Sequence, residues 1–475
     1  MSVHTHIAIL GAGPGGYVAA IRAAQLGARV TVIESQALGG VCLNWGCIPS
    51  KALLSVVELG EKVRKAAPMG LHAGPITYDL PQMITRKNQV VAGLVKGIAM
   101  LFKAWDVEHV RGVGTIQDRQ IVQVALNDGG QRFVNADAIV IATGSSWPNL
   151  PQFPIDGSQI LTSQQLLDLT QIPPRLLIIG GGVEGCEFAS LYNGLGTDVT
   201  VVELMDRILP LEDEDTSSTM TRELKKRNVN IMTGTTVERL ERHEETVTAH
   251  FKDGTILKIE KLLVSVGRGF NSRGIGLERV GVQTGRRGEI LVNEQMETSA
   301  PGIYAIGDVT GKAMLAHVAS AQGKAAVENI MGHRTTIRYD VIPAGIFTLP
   351  EIGRVGLTES QARDWVEARG GEPNGHLQIG RFRYTALGKA QATGETTGWC
   401  KVIAEASSGK ILGVHMIGAH AADLIHEAAL AMQVGATVAQ VAEMIHAHPT
   451  LAEGFMEAAE DAEGKAIHQV RKTVS

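Results

Sequence analysis

The chain has 475 residues, of which 44% are hydrophobic and 20% are charged, and its formal net charge is −5. This length predicts roughly three or four domains, and the charge gives no electrostatic reason to expect nucleic acid or membrane as a partner. No uninterrupted apolar run approaches the roughly 18 residues of a membrane-spanning helix. The N-terminus lacks the pattern of a secretory signal, and four cysteines are too few for a disulfide scaffold. We therefore expect a cytoplasmic protein.

The first recognisable module lies at the N-terminus. An apolar strand is predicted at His6–Leu10, followed by a glycine-rich turn at residues 11–16 and a helix over Tyr17–Leu26. A second strand follows at Arg29–Ile33 and ends in Glu34. This order predicts a βαβ unit with a dinucleotide-binding fingerprint.

Each fingerprint position has its own physical role. Gly11 makes the tight turn, Gly13 lets the backbone approach a pyrophosphate, and Gly16 lets the helix pack on the strand. The N-terminus of the helix faces the phosphates, and Glu34 accepts a hydrogen bond from a ribose hydroxyl. A glycine pattern of this kind is weak evidence when it stands alone, because glycine turns are common.

The same pattern recurs later in the chain, and this repetition argues against a chance match. The matching positions are the strand Leu176–Ile179, the glycines Gly180, Gly182 and Gly185, the strand Asp198–Val202, and Glu203. The offset is constant, since 180 − 11 and 203 − 34 both give 169. The sequence therefore predicts two dinucleotide sites.

The acidic residue of the second module indicates which nucleotide binds there. A carboxylate at Glu203 repels a 2′-phosphate, so we expect NAD rather than NADP. Arg207, four residues later, is the one nearby group that could weaken this preference.

Cys42 and Cys47 lie close together between the two modules, at the start of a predicted helix. Residues five apart on an ideal helix are separated by about 7.5 Å along its axis, whereas a disulfide needs Cα atoms closer than about 7 Å. The first turn must therefore be distorted to close the bond, which should then exchange readily. Two buried thiols or half of a zinc site are the alternatives. Cys186 and Cys400 lack metal-type neighbours, so we expect no metal.

Four segments together resemble the pyridine nucleotide-disulfide oxidoreductases, specifically the branch that oxidises protein-bound dihydrolipoamide. They are the run GGVCLNWGCIPSK at residues 39–51, the two glycine fingerprints, the run at Ile303–Asp308 and the run HAHPTL at residues 446–451. The resemblance covers essentially the whole chain. It implies an α/β fold with two Rossmann-like domains, for FAD and NAD, and a C-terminal α+β dimerisation domain.

The resemblance also assigns roles to the redox residues. Cys47 is implied to be the sulfur beside the flavin, and Cys42 the interchange thiol that meets the substrate. Lys51 is implied to lie near the flavin and to pair with Glu187.

The resemblance places further cofactor contacts at separate points of the chain. Thr143 and Gly144 follow a predicted strand at Ala138–Ile141, Asp308 holds the flavin's ribitol chain, and residues 314–317 lie against its ring system. The implied FAD positions are Gly11, Gly13, Gly16, Glu34, Lys51, Gly114, Thr143, Gly144, Ser145, Asp308, Met314, Leu315, Ala316 and His317. The implied NAD positions are Gly180, Gly182, Gly185, Glu203, Val237 and Gly267.

Thiol exchange requires a proton acceptor, because the thiolate is the attacking form. Neither cysteine of the close pair has a histidine within ten residues. The resemblance implies that His448 is the base and that Glu453 orients it, while His446 is interpreted as structural. It also implies a homodimer in which this histidine serves the partner's disulfide.

The expected layout has four segments. They are an FAD domain over residues 1–147, an NAD domain over 148–269, a central segment over 270–341 that returns to the FAD domain, and an interface domain over 342–475.

Related reductases are disfavoured by single features of the chain. Glutathione-type reductases carry a basic residue for NADP where this chain has Glu203, and mercuric reductases carry a C-terminal cysteine pair, whereas the last cysteine here is Cys400. A flavoprotein module with idle redox chemistry is disfavoured by the cysteine pair together with His448. The implied partners are lipoyl domains of a multienzyme complex.

Overall fold

The structure is a computed structural model that describes residues 5–470 of the chain. These residues form two compact units that are interleaved in sequence. The first unit comprises the described residues up to Gln171 together with Val266–Ile337. The second comprises Ile172–Ser265 together with the described residues from Arg338 onward.

The first 280 residues contain alternating strands and helices as well as runs of consecutive strands. Up to residue 166 they are β1 (His6–Leu10), α1 (Pro14–Gln25), β2 (Arg29–Glu34), α2 (Gly40–Trp45), α3 (Cys47–Arg64), α4 (Leu80–Ala104), β3 (Glu108–Asp118), β4 (Ile121–Leu126), β5 (Gln131–Asn135), β6 (Ala138–Ile141), β7 (Ser145–Ser146), β8 (Ile160–Leu161) and α5 (Ser163–Leu166). Up to residue 280 they continue with β9 (Arg175–Ile179), α6 (Val183–Leu195), β10 (Asp198–Glu203), α7 (Glu214–Lys226), β11 (Asn230–Thr233), β12 (Val237–Arg242), β13 (Val247–Phe251), β14 (Ile256–Ile259), β15 (Lys261–Val264), β16 (Gly269–Phe270) and α8 (Leu277–Val280).

The remaining elements belong mainly to the C-terminal part of the chain. They are β17 (Ile303–Ala305), α9 (Ala316–Ile330), β18 (Ala344–Ile346), β19 (Glu351–Gly356), α10 (Glu359–Glu367), α11 (Pro373–His376), β20 (Leu377–Arg383), α12 (Gly388–Thr393), β21 (Gly398–Glu405), β22 (Ile411–Gly418), α13 (Ala421–Val434), α14 (Val438–Glu443) and α15 (Glu453–Ala462). Short 3-10 turns lie at Ala67–Met69, Gly307–Thr310, Tyr339–Val341 and Tyr384–Ala386.

The first unit is built on a sheet with the strand order β17-β6-β1-β2-β3-β4-β5. The strands from β17 to β3 pair in parallel, and β3, β4 and β5 pair antiparallel. The register sets Leu10 beside Ile33 and Ile141, so the carboxyl ends of three parallel strands meet at one edge. Ligands of open parallel sheets bind outside this edge.

The central strand β1 is apolar on both sides. Ile7 and Ile9 belong to one buried cluster, together with alanines of α1 and α9, and Ala8 and Leu10 belong to another. Because both faces of the sheet are covered, the strand shows a continuous apolar run instead of an alternation.

The second unit contains a parallel sheet and an antiparallel one. β11, β10, β9 and β15 pair in parallel with β9 between β10 and β15, and β12, β13 and β14 form an antiparallel meander. Towards the C-terminus, β18, β19, β22, β21 and β20 form an antiparallel sheet in that order. Its core includes Phe382, Val402, Ile425 and Phe455.

A buried lysine ties the start of α7 to the C-terminal sheet of the second unit. Lys401 on β21 is 1% exposed, and its ammonium lies 2.9 Å from Asp213, 2.9 Å from Asp215 and 2.7 Å from Glu359. Burial alone lowers the pKa of Lys401, but hydrogen bonds to the three carboxylates outweigh it and raise the pKa above its ordinary value. The ion cluster therefore holds the loop before α7 on the C-terminal sheet.

One helical stretch of the described chain, residues 40–64, is long and apolar enough to cross a membrane by length and mean hydropathy alone. It is interrupted at Gly46, whose φ of −136° and ψ of −109° are not helical. Leu53, Leu54 and Val57 along it are buried within the protein. We interpret it as a core-packed helix.

The predicted fold class is confirmed. The strands β1 and β6 have the predicted bounds, and α1 begins at Pro14, three residues before the predicted start at Tyr17. Proline fits the first helical position because its missing N–H is not needed there. The division into four segments with boundaries at 147, 269 and 341 stays a prediction.

Candidate active site

The first glycine loop is shaped by backbone constraints that only glycine satisfies. Gly11 has a φ of +103°, and a Cβ on it would lie 2.3 Å from the carbonyl oxygen of Ala142. A Cβ on Gly16 would lie 2.0 Å from the carbonyl oxygen of Gly11. The loop between β1 and α1 is therefore as tight as the sequence predicts.

The second glycine loop repeats this construction. Gly180 has a φ of +106°, and a Cβ on Gly185 would lie 1.9 Å from the carbonyl oxygen of Gly180. α6 begins directly after the loop, at Val183. The two loops thus share a backbone geometry as well as a sequence pattern.

The acidic residue after β2 is fixed by the backbone. The carboxylate of Glu34 accepts hydrogen bonds from the amide of Ala12, at 2.8 Å, and from the amide of Gln36, at 2.7 Å. An ionised carboxylate has about four lone-pair sites, so Glu34 keeps capacity to accept a ribose hydroxyl.

Glu203 is held by the equivalent amides of the second module. Its carboxylate accepts from Gly181 at 2.7 Å and from Met205 at 2.8 Å. Glu203 is buried, with 9% exposure, so its charge is weakly screened. Arg207 is directed elsewhere, since its guanidinium donates to the carbonyl of Pro210 at 3.3 Å and lies 4.0 Å from Glu214.

The middle glycine of each loop leaves room for a ligand. A Cβ on Gly13 would have Gly40 as its nearest neighbour, at 3.9 Å, and a Cβ on Gly182 would have no described atom within 4 Å. α1 and α6 begin next to these positions, and a helix N-terminus offers unpaired amides and partial positive charge to a phosphate. Both loops therefore fit a dinucleotide pyrophosphate.

Cys42 and Cys47 form a disulfide with a Cα–Cα distance of 4.7 Å. The predicted distortion is present, because Cys42 lies in α2, Cys47 begins α3, and the non-helical Gly46 separates the two helices. Cys47 is exposed and Cys42 is half-buried in the described chain. A disulfide at an exposed helix break is accessible to an attacking thiolate.

The segment of residues 38–47, which carries the disulfide and is called the redox turn below, lies directly on the first glycine loop. The amide of Gly39 donates to the carbonyl of Ala12 at 2.8 Å, and a Cβ on Gly40 would lie 2.7 Å from the Cα of Gly13. The Asn44 side chain donates to the carbonyl of Leu38 at 3.0 Å and so fixes the turn from within. A dinucleotide on this loop is thereby placed close to the disulfide.

The predicted pair of Lys51 and Glu187 stays a prediction. Lys51 lies on α3, where its ammonium is 3.4 Å from the hydroxyl of Ser50. Glu187 lies on α6, is 7% exposed and accepts a hydrogen bond from the amide of Phe347 at 2.9 Å.

The residues after β6 are tied to a distant part of the first unit. The hydroxyl of Thr143 donates to the carbonyl of Asn271 at 2.8 Å, and the Asn271 side chain donates to the carbonyl of Thr143 at 2.9 Å. The amide of Asn271 donates to the carbonyl of Gly144 at 3.1 Å. Two of the predicted FAD positions are thus fixed by a residue that the sequence did not point to.

Arg268 was also missed as a site residue. It donates to the hydroxyl of Ser145 at 2.7 Å and to its carbonyl at 2.8 Å, and its guanidinium lies 4.7 Å from the centre of the Trp147 ring. The Ser145 hydroxyl in turn donates to the carboxylate of Asp308. Arg268 directly follows Gly267, a predicted NAD position, and this adjacency is a sequence signal that could have marked it.

The other predicted cofactor positions lie on defined elements. Gly114 on β3 faces Leu10 and Ile33, since a Cβ there would lie 3.3 Å and 3.4 Å from them. Residues 314–317 span the start of α9, and Val237 begins β12. Their roles in binding stay predictions.

His448 and Glu453 form the predicted pair. Nδ1 of His448 lies 2.8 Å from Glu453 Oε1, and the other oxygen of Glu453 accepts from the Thr450 amide at 2.8 Å. The His448 side chain is 74% exposed. Glu453 begins α15, and its place at a helix N-terminus stabilises the carboxylate.

The protonation state of Glu453 decides which ring nitrogen of neutral His448 carries the hydrogen. Burial alone raises the pKa of Glu453, but the Thr450 amide, the His448 hydrogen bond and the charges of His448 and His446 outweigh it and hold the pKa below its ordinary value. An ionised carboxylate accepts only, so the proton of neutral His448 lies on Nδ1 and leaves the lone pair on Nε2. That nitrogen can accept a proton from a thiol.

The two remaining cysteines are not redox candidates. Cys186 and Cys400 are fully buried, and burial raises the pKa of both thiols far above its ordinary value. Among residues 5–470, no group of three His, Cys, Asp or Glu side chains is arranged to hold a metal ion.

Comparison with family models gives two matches along the chain. Residues 5–323 match the model described as pyridine nucleotide-disulphide oxidoreductase, and residues 342–459 match the dimerisation domain of the same group. The first match alone covers more than half of the chain.

Curated proteins of similar sequence cover nearly the whole chain. A dihydrolipoyl dehydrogenase of Bacillus subtilis is 41% identical and aligns with 98% of this chain and 100% of its own length. A dihydrolipoyl dehydrogenase of Chlamydia pneumoniae is 40% identical over 97% of both chains. The crystal structure of LpdA from Mycobacterium tuberculosis superposes with a TM-score of 0.89 at 32% identity, covering 96% of this chain and 99% of that one.

Proposed function

We propose that this chain, which belongs to the pyridine nucleotide-disulphide oxidoreductase family, oxidises dihydrolipoyl groups to lipoyl groups and passes the electrons to NAD⁺. It uses FAD and NAD, as the family does. Curated dihydrolipoyl dehydrogenases at about 40% identity over nearly the full chain support this substrate.

One observation carries the proposal, namely the position of the disulfide. The Cys42–Cys47 turn is hydrogen-bonded to the first dinucleotide loop through Gly39 and Ala12. A disulfide fixed beside a dinucleotide loop suits exchange of electrons between thiols and a flavin better than it suits a structural role.

The oxidation of the two substrate thiols is matched by the reduction of the chain's own Cys42–Cys47 disulfide. A substrate thiolate attacks one sulfur of the disulfide, which forms a mixed disulfide and releases the other sulfur as a thiolate. The second substrate thiolate then attacks the mixed disulfide, which closes the lipoyl ring and leaves both cysteines reduced. FAD, when bound, supplies the two-electron transfer from the reduced pair to NAD⁺, with formation of NADH and a proton.

We assign different roles to the two cysteines and a base role to His448. Cys42 is the interchange sulfur, Cys47 is the sulfur beside the flavin, and His448 accepts the substrate's thiol proton at Nε2. Glu453 orients His448 through Nδ1 and stabilises the imidazolium that forms.

Further residues support cofactor binding in this proposal. Lys51 and Glu187 form an ion pair near the flavin, and Asp308 and Ser145 hold the flavin's side chain. Glu203 selects NAD, because a buried carboxylate held by two backbone amides cannot turn away from a 2′-phosphate.

The proposal extends to assembly and location. The dimerisation-domain match at residues 342–459 supports a homodimer. We propose that the dihydrolipoyl groups are carried by the lipoyl domains of a multienzyme complex and that the enzyme is soluble and cytoplasmic.

Steady-state turnover tests the proposal. Purified protein is assayed with dihydrolipoamide and NAD⁺, with NADP⁺ replacing NAD⁺ in one arm and with NADPH and glutathione disulfide in another. We expect turnover in the first arm only, and Cys42→Ser provides the inactive control. Absence of dihydrolipoamide oxidation by a folded, FAD-loaded protein would overturn the proposal.

A further inference from the structure

We propose that His446 is a positioning residue, a permanent imidazolium that acts through Glu453 to set the pH at which His448 accepts a proton. This inference rests on the proposed function only in taking His448 as the base. The sequence by itself suggested a structural role for His446.

Both ring nitrogens of His446 face hydrogen-bond acceptors. Nδ1 lies 2.9 Å from the carbonyl oxygen of Met444, and Nε2 lies 2.8 Å from the carboxylate of Glu427 on α13. Neither partner can donate, so each ring nitrogen must carry a hydrogen to form its bond. A neutral imidazole has only one N–H, and the geometry therefore requires the imidazolium.

The surroundings keep this charge in place. The His446 side chain is 3% exposed, so bulk water does not replace its partners. The hydrogen bond to Glu427 raises the pKa of His446 although burial opposes it, and the Met444 carbonyl and the charges of Glu427 and Glu453 add to the effect.

The imidazolium is electrostatically linked to the base pair. The charge of His446 is among the causes that keep the pKa of Glu453 low, and Glu453 hydrogen-bonds His448. The four side chains thus form a series in which carboxylates and imidazoles alternate, in the order Glu427, His446, Glu453 and His448. Removal of one inner member changes the field at the others.

The other groups near this series belong to three further parts of the chain. The thiol of Cys400 on β21 is held neutral by burial and by the charge of Glu427, and Gly388 at the start of α12 approaches the His448 ring without a charge. His468, beyond α15, is paired with Glu457 and is also influenced by Glu453 and Glu460. His446 is the only cation of this group that is enclosed and bonded at both nitrogens among the described residues.

The sign of the effect follows from Coulomb's law. A fixed positive charge near His448 disfavours its protonated form, so His448 stays a neutral, competent base to lower pH. His446→Gln removes that charge and leaves Glu427 uncompensated, so the pH profile for reduction by dihydrolipoamide should move to higher pH. Glu427→Gln removes the charges of both partners and should move the profile less.

Three variants separate this effect from simple packing. His446→Gln removes the charge and keeps one hydrogen bond, Glu427→Gln removes the counter-charge, and His426→Gln removes a neighbouring exposed imidazole on the same helix. The double variant of His446 and Glu427 should resemble Glu427→Gln, because the effect depends on the charged pair.

The test is an NMR titration of histidine-labelled, oxidised protein, read at the ring nitrogens without any turnover. We expect His446 to give imidazolium shifts at pH 8, and we expect the His448 midpoint to move upward in His446→Gln and to stay unchanged in His426→Gln. The pH profile for reduction by dihydrolipoamide should move by the same amount. If His446 had a purely structural role, its loss would lower the rate at every pH, and neither the His448 NMR midpoint nor the midpoint of the pH profile for reduction would move.

The results distinguish this inference from the proposed function. A neutral His446 at pH 8, or an unchanged His448 midpoint in a folded His446→Gln protein, would overturn the positioning role. If both NMR results hold and dihydrolipoamide is not oxidised, the proposed substrate is wrong while the linkage between the two histidines stands.

Discussion

The matched glycine loops allow the two nucleotide sites to be disabled separately. Gly185→Ala places a Cβ 1.9 Å from the carbonyl oxygen of Gly180, and Gly16→Ala places one 2.0 Å from that of Gly11. We expect the first variant to keep FAD and lose affinity for NAD⁺, and we expect the second to lose FAD.

The size of the effect follows from the overlap. Ordinary contact begins near 3.4 Å, so the second loop must open by about 1.5 Å to admit the methyl group on Gly185. Overpacking of this kind costs about 1 to 3 kcal/mol, which corresponds to a roughly 5- to 150-fold loss in affinity if the whole distortion falls on the binding loop. The helix should persist, because alanine favours helix over glycine.

Two glycine variants serve as controls. Gly182→Ala meets no described atom within 4 Å and has an unstrained backbone, so the protein should be as stable as wild type while the methyl group obstructs the pyrophosphate. Gly97→Ala on α4 also has no described neighbour within 4 Å and should change neither site.

The assay combines flavin content with calorimetry. The flavin absorbance that stays with the protein on gel filtration reports the first site, and titration of NAD⁺ into oxidised holoprotein reports the second. Unchanged NAD⁺ affinity in Gly185→Ala, with full flavin content, would refute the assignment of the second loop. Loss of flavin in Gly185→Ala and its retention in Gly16→Ala would show that the two assignments are reversed.

Three further predictions concern side chains. Glu203→Ala should narrow a preference for NAD⁺ over NADP⁺ that we expect to exceed roughly tenfold, since a buried carboxylate no longer opposes the 2′-phosphate, and equal kcat/KM values in the wild type would contradict this. Cys42→Ser and Cys47→Ser should both abolish dihydrolipoamide oxidation, but after reduction only Cys42→Ser should keep the long-wavelength absorbance of a thiolate beside oxidised flavin. The opposite pattern would exchange the two roles. His448→Gln should lower kcat by about 10² to 10⁴ with FAD retained, and Glu453→Gln should cost less because it only orients the base. Mixed dimers of Cys42→Ser and His448→Gln should regain turnover, and no recovery despite proven subunit exchange would assign the base to its own chain.

The sequence was most informative where the signal is local. The dinucleotide loops combine a tight turn, a helix start and a strand end within about 25 residues, and the structure has them within three residues of the predicted bounds. The break between Cys42 and Cys47 was also predictable, because five residues of continuous helix leave the two Cα atoms too far apart for a disulfide.

Contacts between remote segments could not be predicted in this way. Arg268 and Ser145 are 123 residues apart, and Ser145 and Asp308 are 163 apart. Lys401 is an extreme case, since it stands in an apolar strand and its partner Asp213 lies 188 residues away. A buried lysine needs carboxylates that compensate its positive charge. The sequence close to Lys401 gives no indication of which carboxylates these are.

The two dinucleotide loops differ most in what lies against them. Both loops accept one backbone hydrogen bond at equivalent positions, from Gly39 to Ala12 in the first and from Leu209 to Gly181 in the second. In the first loop the redox turn also brings Gly40 close to Gly13. No described atom lies within 4 Å of the corresponding point on Gly182 in the second loop. The proposed function assigns FAD to the first loop and NAD to the second. Because Gly40 narrows the space beside the first loop, we expect FAD to be released more slowly than NAD.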